Sequence, residues 1–517
     1  MKKFLMILSI AAMSVVAFAC SKGGGGDDPT PPGPVAPTSI SITPTTINAA
    51  QAGESVEVTI TAPARPSVSG LPSWITYTDG TYNSSTYKIT IKLNFTANNT
   101  YEARTAELKI TAAGATSVPF TVSQAGKEVV KDPTLPNNDA VAMAKKIGMG
   151  WNLGNQLEAN NNGDPSETAW TGVLCTQETF TKVAAAGFTS VRIPVSWINL
   201  IGPAPDYTLD ATRLARLKEV VGFAHNAGLL TIFNIHHDGA DSQYWLSVKQ
   251  GADNAEILKE IEKVWGQLAE AFKDEGDDWL MFESFNEIHD GNWGYSAEYQ
   301  TAAGKKRQND ILNGWNQKFV DVVRATGGNN ATRWLGVPAY CASPEYALED
   351  GFVLPTDAAK KIMVSVHEYT PYAFCQTAEA NEWGHTRKTN LNDPSFGEDY
   401  MKDVFNKLYK KYVANNIPVY IGEFGCANRT AEKPFAFQLY WYEYFAKCAR
   451  VFGMGGMLWD NGASGNGNEV YGVIHHGNGS YLDATRGPKI VEKIKKGFTN
   501  TDESYTLQSV YDNAPSN

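Results

Sequence analysis

The sequence has few cysteines, and none has a metal-binding spacing. Of six cysteines in 517 residues, Cys20 follows an N-terminal apolar run and the others are widely separated: Cys175, Cys341, Cys375, Cys426 and Cys448. Because five is an odd number, at least one thiol is unpaired, and buried structural thiols are expected. No Cys-x-x-Cys motif or histidine-spaced cluster indicates zinc. No metal or cofactor is therefore expected.

The sequence also lacks any run dense in lysine and arginine, and its net charge is −11. Nucleic-acid binding depends on neutralising phosphates with basic side chains, so the charge argues against a nucleic-acid partner. With 43% hydrophobic and 19% charged residues, the chain can bury a sizeable core. Its length suits two domains, one of them large.

The N-terminus has the pattern of an export signal. Lys2 and Lys3 precede an apolar run over residues 4–19, which is short for a membrane span, and Cys20 follows. Ala19-Cys20 resembles the lipobox of bacterial lipoproteins, in which the cysteine is acylated. Residues 1–20 are thus predicted to be a lipoprotein signal peptide, and the protein to be exported and lipid-anchored to the outer membrane, facing the cell surface. The alternative is ordinary secretion with a free Cys20.

Two linkers flank a small predicted domain. Residues 21–38, rich in Gly, Pro, Asp and Thr, form a flexible linker. Over residues 39–126, short segments of period two alternate with turn residues, which predicts a small all-β, Ig-like sandwich. Residues 71–75 and 122–126 resemble the BACON domain, whose name implies carbohydrate binding. No exposed aromatic triad supports binding, so a spacer is the favoured interpretation. Residues 127–139 form the second linker.

Residues 140–499 alternate between apolar strand-like and amphipathic helix-like segments. The strand-like segments are 147–152, 190–194, 230–237, 281–287, 334–337, 363–367, 419–423 and 456–459. Eight β/α units predict an α/β fold, a (β/α)8 TIM barrel, with 500–517 as a C-terminal tail. A doubly wound open sheet also alternates in this way, but the first strand lacks a glycine-rich phosphate turn.

Six of the eight strands end in chemically active side chains. In a TIM barrel the chemistry lies at the C-terminal ends of the strands. The residues found there are Arg192, His236, His237, Asn286, Glu287, His367, Tyr369, Glu423 and Trp459. Two strand-end carboxylates facing each other across a cleft suit glycoside hydrolysis. Glu283, deeper in its strand, is expected to be a structural partner of Arg192 or a histidine. A metal site at His236-His237-Asp238 is disfavoured because adjacent strand residues point to opposite faces.

Four of these motifs resemble glycoside hydrolase family 5. They are Gly150–Asn155, Asn234–Asp238, Asn286-Glu287 and Gly422–Gly425, and the likeness covers about residues 140–499. Ile288 departs from the family pattern, which has proline there. The resemblance implies a retaining hydrolase with Glu287 as acid/base and Glu423 as nucleophile.

The resemblance also implies substrate-binding roles for the remaining strand-end residues. Arg192 and Tyr369 would keep Glu423 ionised and oriented, since positive charge and hydrogen bonds lower the pKa of a carboxyl group. Asn286 would contact the sugar 2-hydroxyl. His236 and His367 would bind the sugar of the −1 subsite or tune Glu287, with His237 beside them. Trp459 would form the stacking floor of that subsite.

Aromatic residues in the strand-end loops suggest an extended substrate. They are Trp293, Tyr295, Tyr372, Phe374 and Trp383. An open aromatic cleft implies internal cutting of a polymer. The motifs resemble the branch acting on β-1,4-glucans, and together with a BACON-like lipoprotein they resemble xyloglucanases of gut bacteria. Open alternatives are a mixed-linkage β-glucanase or cellulase, an endo-β-mannanase, and a catalytically inactive glycan-binding lipoprotein. The expected partners are the polysaccharide and, through Cys20, the membrane; the chain is expected to be a monomer.

Overall fold

The computed structural model describes residues 35–516 except 99, 101, 129, 378, 390 and 391. The chain divides into two compact units, Met1–Glu128 and Val129–Asn517. The predicted signal peptide, Cys20 and most of the first linker lie outside the described residues. No helix within the described ranges is long and apolar enough to cross a bilayer.

The N-terminal unit contains two four-stranded sheets. Its strands are β1 Ser41–Thr43, β2 Ile47–Ala49, β3 Glu54–Thr61, β4 Ser67–Ser69, β5 Ile75–Thr78, β6 Lys88–Phe95, β7 Arg104–Ala112 and β8 Ala115–Gln124. The sheet orders are β1-β3-β6-β5 and β2-β8-β7-β4. Alternate residues of β6, such as Ile89, Ile91 and Leu93, are buried, as the period-two pattern requires. The predicted all-β domain is confirmed.

The second unit is a closed barrel of parallel strands surrounded by helices. Its strands are β9 Met149–Asn152, β10 Asn160–Asn161, β11 Asp164–Pro165, β12 Ser190–Ile193, β13 Leu230–Asn234, β14 Leu280–Glu283, β15 Leu335–Pro338, β16 Ile362–Glu368, β17 Val419–Phe424 and β18 Gly455–Leu458. The barrel order is β12-β13-β14-β15-β16-β17-β18-β9, and β10 and β11 form a separate two-stranded sheet. The predicted TIM barrel is confirmed.

The helices of this unit cover the barrel strands. They are α1 Asp139–Ile147, α2 Gln177–Ala186, α3 Ala211–Asn226, α4 Asn254–Phe272, α5 Ala302–Ala325, α6 Pro344–Leu348, α7 Tyr372–Cys375, α8 Glu398–Lys411, α9 Glu432–Val451, α10 Gly487–Thr499 and α11 Leu507–Asp512. Helix α4 illustrates how the sequence specifies these helices. Asp253 caps its first backbone amides, and Ile257, Ile261 and Leu268 form its buried apolar stripe.

The barrel interior is apolar at the bottom and polar at the top. Ile232, Met281, Met363 and Met457 lie in one buried cluster low in the barrel. Above this layer the strands end in buried polar side chains, so the apolar floor supports the site. The five widely separated cysteines are buried and unpaired, as predicted.

Several predicted boundaries differ from the structure. Strands β13 and β14 end at Asn234 and Glu283, earlier than expected, because the chain turns there. Most of the segment expected to be the second linker belongs to the barrel unit, as does the expected tail. Asp132 accepts hydrogen bonds from Leu507 N at 2.9 Å and Lys447 Nζ at 2.7 Å. Leu507 is buried, so these segments cover the barrel and are not free chain.

Candidate active site

An open cleft of about 410 Å³ lies at the C-terminal face of the barrel. Its described lining residues are Asn155, Trp170, His236, His237, Asn286, Glu287, Trp293, Tyr369, Gln376, Glu423, Trp459, Asn461, Glu469 and Tyr471. Seven of the nine predicted strand-end residues are in this lining. The other two, Arg192 and His367, are buried and bonded to lining carboxylates.

Glu287 and Glu423 face each other across the cleft floor. One oxygen of each carboxyl group and one ring nitrogen of His367 lie within 4.8 Å of one another. His367 Nδ1 is 2.7 Å from Glu287 Oε1 and 3.6 Å from Glu423 Oε2. A register shift after Val366 pairs His367 with Glu423 across β16 and β17. This close spacing is typical of retaining glycosidases, whose two carboxyl groups are about 5–5.5 Å apart.

Arg192 lies fully buried below the two carboxylates and uses every N–H of its guanidinium group. Its Nε and Nη2 donate to Glu283, with 2.7 Å for the shortest contact. Its Nη2 also donates to Asn286 Oδ1 at 2.8 Å. Its Nη1 donates to Asn152 Oδ1 at 3.1 Å and to Glu423 Oε1 at 2.7 Å. One cation therefore fixes the orientation of four side chains, and Glu283 is the structural partner that the sequence predicted.

Glu283 is a buried anion whose oxygens are satisfied from several sides. Besides Arg192, it accepts hydrogen bonds from Asn234 Nδ2 at 3.1 Å and Tyr420 OH at 2.5 Å. Burial alone would raise the pKa of this carboxyl, but the charge and hydrogen bonds of Arg192 lower it below the ordinary value. Glu283 is thus ionised and neutralises part of the Arg192 charge.

The two cleft carboxyls have different electrostatic environments. Burial raises the pKa of Glu287 to about 8; Arg192 opposes this, while the negative charges of Glu283 and Glu469 add to it. Burial also raises the pKa of Glu423, against the opposing effects of His367 and Arg192. The expectation that Arg192 and Tyr369 would lower this pKa is right for the direct Arg192 interaction, but burial has the larger effect.

Glu423 nevertheless has the contacts of the more readily ionised partner. It accepts from Arg192 Nη1 and, at 2.9 Å, from Tyr369 OH, and both bonds favour the carboxylate form. Glu287 has no direct contact with Arg192 among the hydrogen bonds and ion pairs of the described residues, and its one close partner is His367. At neutral pH the pair therefore holds a proton on Glu287.

The three histidines of the site are neutral at neutral pH. Burial lowers the pKa of His237 and of His367 to about 4, and that of His236 well below its ordinary value. Asn234 Nδ2 contacts both Glu283 and, at 3.2 Å, His236 Nδ1. Since a carboxylate only accepts, the Asn234 nitrogen is the donor, and His236 Nδ1 accepts. The Nε2–H of His236 is then directed toward Glu423, whose Oε1 is 3.9 Å away.

A chain of aromatic rings leads outward from the reaction centre. Trp459 stacks on His236 with centroids 5.8 Å apart and planes 3° from parallel. His236 contacts His237 at 4.5 Å, and His237 contacts Trp170 at 5.5 Å. Trp170 is 43% exposed. The series therefore extends the aromatic wall of the cleft from its floor to the solvent.

The aromatic loop residues predicted from the sequence divide into two groups. Trp293 lines the cleft and is 49% exposed. Phe374 and Trp383 are fully buried, so their prediction as cleft aromatics is wrong: they pack in the hydrophobic core. Tyr295 and Tyr372 are exposed but are not among the described lining residues. Loop residues have no periodicity that distinguishes core from cleft.

Six lining residues were not among the predicted site residues: Asn155, Trp170, Gln376, Asn461, Glu469 and Tyr471. They lie in the loops after β9, β16 and β18. Asn155 is the last residue of the Gly150–Asn155 motif. Asn461 follows the end of β18 closely, whereas Trp170, Gln376, Glu469 and Tyr471 are farther from a barrel strand, and only the tertiary fold brings them to the cleft.

Two residue groups could be considered for a metal. The atoms of Glu287, His367 and Glu423 are close enough to share a cation. The set is already paired, however, because Glu287 bonds His367 and Glu423 bonds the cationic Arg192. The other candidate, His236-His237-Asp238, is not a joint ligand set. Asp238 accepts from Trp245 Nε1 at 2.6 Å and from a backbone amide, so its oxygens are used in the protein core.

A β/α barrel whose fourth and seventh strands deliver two facing carboxyls to an open, aromatic-lined cleft defines a glycoside hydrolase. Comparison with known proteins agrees with this class. The profile of the cellulase family (glycosyl hydrolase family 5) matches residues 154–465, and the chain belongs to this family. The profile of the BACON domain, a putative N-terminal binding domain, matches residues 66–125.

Endoglucanases and a xyloglucanase are among the proteins that this chain is similar to. Endoglucanase A of Paenibacillus barcinonensis is 38% identical over 343 residues, which are 63% of this chain and 83% of that protein. The GH5-4 broad specificity endoglucanase from Bacteroides salanitronis is 42% identical, with a TM-score of 0.67 over 72% of this chain and 98% of that one. The family 5 xyloglucanase from Paenibacillus pabuli is 38% identical, with a TM-score of 0.63 over 69% of this chain and 100% of that one.

Proposed function

We propose that this protein is a retaining endo-β-1,4-glucanase that cleaves the backbone of xyloglucan. The observation that carries the proposal is the inequality of two close carboxyls: Glu287 has a pKa of about 8, whereas Glu423 is bonded to Arg192. Double displacement requires one protonated and one ionised carboxyl within reach of the same glycosidic bond.

In the first step Glu423 attacks the anomeric carbon while Glu287 donates its proton to the departing glycosidic oxygen. The bond from the anomeric carbon to that oxygen breaks, and an ester bond to Glu423 forms. Arg192 and Tyr369 hold the two oxygens of Glu423, so the nucleophile is oriented before the substrate binds. Glu287 leaves the step as a carboxylate.

In the second step Glu287 removes a proton from water, and the resulting oxygen attacks the anomeric carbon. The ester bond to Glu423 breaks, and the sugar is released with its original configuration. Asn286 supports both steps. Its Oδ1 accepts from Arg192, so its NH2 group is free to donate to the sugar 2-hydroxyl. Trp459, stacked on His236, supplies the apolar floor, and His237 lies beside it.

The substrate assignment is supported by the open cleft and the relatives. Trp170 and Trp293 are half-exposed cleft residues, which suits a polymer bound along several sugars and cut internally. One relative is a xyloglucanase and another a broad specificity endoglucanase. Mixed-linkage glucan, cellulose and glucomannan are the competing substrates.

We also propose that the enzyme works as a monomer, anchored to the outer membrane through an acylated Cys20, with the BACON-like domain as a spacer. The support is the lysine pair, apolar run and Ala19-Cys20 sequence at the N-terminus. Metabolic labelling with a fatty acid tests the anchor. Label on the wild type but not on Cys20→Ala is expected, and an unlabelled wild type would contradict it. Light scattering of the soluble form tests the monomer.

The central test is product release by the chain from Ser21 onward on xyloglucan, mixed-linkage β-glucan, carboxymethylcellulose and glucomannan. Glu287→Gln and Glu423→Ala should lose several orders of magnitude in rate, while Glu503→Gln, an exposed-residue control, should not. Nuclear magnetic resonance of the first product should show the β-anomer. Faster cleavage of glucomannan would make the enzyme a mannanase with the same mechanism. No cleavage of any polymer would refute the enzyme and favour a glycan-binding protein.

A further inference from the structure

Three cleft-lining residues other than glycine have a left-handed backbone conformation. The φ angles are 61° at Asn155, 47° at Trp293 and 54° at Glu469. Such conformations are unfavourable for residues with a Cβ atom, and they concentrate where a side chain has a function. Glu469 is the one whose side chain carries a charge.

The backbone of Glu469 is held by a neighbouring loop and by an earlier residue of its own loop. Its N–H donates to Gln376 O at 2.8 Å, in the loop after β16. Its C=O accepts from Asn461 Nδ2 at 2.7 Å. Asn461 Oδ1 in turn accepts from Tyr471 N at 3.1 Å. Both backbone polar groups of Glu469 are therefore bonded, and the fold sets the conformation of this residue.

The side chain of Glu469, by contrast, has no hydrogen-bonding or ionic partner among the described residues. Among the residues that the structure describes, no hydrogen bond or ion pair involves its carboxylate, although it lines the cleft. The amide of Gln376 lines the same wall and likewise makes no side-chain hydrogen bond within the described ranges. A rigid backbone thus presents a free carboxylate and a free amide to the cleft that contains Glu287.

We infer that Glu469, together with Gln376, binds hydroxyl groups of the glucan next to the bond that is cleaved. This inference rests on the proposed function, because it takes a sugar polymer as the occupant of the cleft. A carboxylate accepts two strong hydrogen bonds from neighbouring hydroxyls, and such charge-assisted bonds are about twice as strong as neutral ones. The side chain would add affinity and orientation, and the bond-making chemistry would remain with Glu287 and Glu423.

The charge of Glu469 also acts on Glu287. It is one of the negative charges that keep the Glu287 proton in place. The charged or titratable groups around Glu287 are Arg192, Glu283, Cys341, His367, Tyr369, Glu423 and Glu469. Glu469 is the exposed member of this set, and its carboxylate makes no hydrogen bond within the part of the chain that the structure describes, so it can be neutralised without breaking one.

Binding is the first readout. Calorimetric titration with cellohexaose and a xyloglucan oligosaccharide would compare Glu287→Gln with the double variants carrying Glu469→Gln, Glu469→Gly or, as the matched control, Glu503→Gln. The Glu469 substitutions should raise the dissociation constant about 10- to 100-fold, because a hydrogen bond to a charged group is lost. The control should bind as the parent does. An unchanged dissociation constant, or a parent that binds neither oligosaccharide, would overturn the inference.

Stability and pH dependence separate this role from a structural one. Glycine accepts positive φ without strain, so Glu469→Gly should keep the melting temperature or raise it while it loses binding. In the otherwise unchanged enzyme, Glu469→Gln should move the basic limb of kcat/KM to lower pH by roughly half a unit. A lower melting temperature with unchanged kcat/KM would show a structural role. Failure of hydrolysis alone, with binding retained, would refute the proposed function and leave the binding role of Glu469.

Discussion

Glu287 should destabilise the folded enzyme at neutral pH, and replacing it with glutamine should relieve this cost. Its pKa rises from an ordinary value of 4.5 to about 8 on folding. A carboxyl with a raised folded pKa binds more protons in the folded than in the unfolded state between these values. The free energy of unfolding therefore falls as pH rises from 4.5 toward 8.

The size of this effect follows from the pH interval. Each unit above the unfolded pKa costs about 1.4 kcal/mol, so 2.5 units of separation at pH 7 would cost about 3 kcal/mol. The side chain is 19% exposed, and solvent screening reduces the cost to about 2 kcal/mol. Glutamine has nearly the same shape, and its NH2 can still donate to His367 Nδ1.

The assay is urea unfolding of wild type and Glu287→Gln at pH 4 and pH 7. Near pH 4 the two proteins should have equal stability, and at pH 7 the variant should be more stable by about 2 kcal/mol. Glu503→Gln is the control, because its side chain is exposed. A variant that is less stable at pH 7, or a difference independent of pH, would refute the assignment of a neutral buried carboxyl.

Three further predictions concern the same network. On a polymer, kcat/KM should fall about tenfold per pH unit above pH 8, where Glu287 ionises. Dinitrophenyl β-cellobioside should not show this fall, because its leaving group needs no proton. A kcat/KM that is constant up to pH 10 on the polymer would contradict this prediction. Tyr369→Phe should lower kcat about 10- to 100-fold without a change in melting temperature, measured by initial rates and calorimetry, because Glu423 loses a hydrogen bond. Glu283→Gln should lower the urea-unfolding free energy by about 3–5 kcal/mol, because Arg192 keeps a buried charge with less compensation; a loss below 1 kcal/mol would contradict it.

The sequence predicted the barrel and its reactive floor because both depend on short-range patterns. Strand periodicity and strand-end position were enough to bring Arg192, His367 and Glu423 together, since parallel strands of a closed barrel end at one face. The side chains of the outer cleft could not be found in this way. Phe374 and Trp383 are aromatic residues in a strand-end loop, as sugar-stacking residues are, but they are buried in the core. Trp383 packs against Tyr440 and Tyr444 of α9, a contact distant in sequence that no local pattern encodes.

The two cleft carboxyls differ in protonation in part because the buried cation Arg192 bonds to one of them and not to the other. Arg192 donates to Glu283, Asn286, Asn152 and Glu423, and no N–H remains for Glu287. If Glu283 were absent, the whole positive charge would act on the two cleft carboxyls and would bring both toward ionisation. With Glu283 present, its negative charge offsets part of that effect, while direct bonds keep Glu423 oriented. Burial of Glu287, the direct bond from Arg192 to Glu423 and the negative charge of Glu283 together allow two identical side chains a few ångströms apart to hold different protonation states.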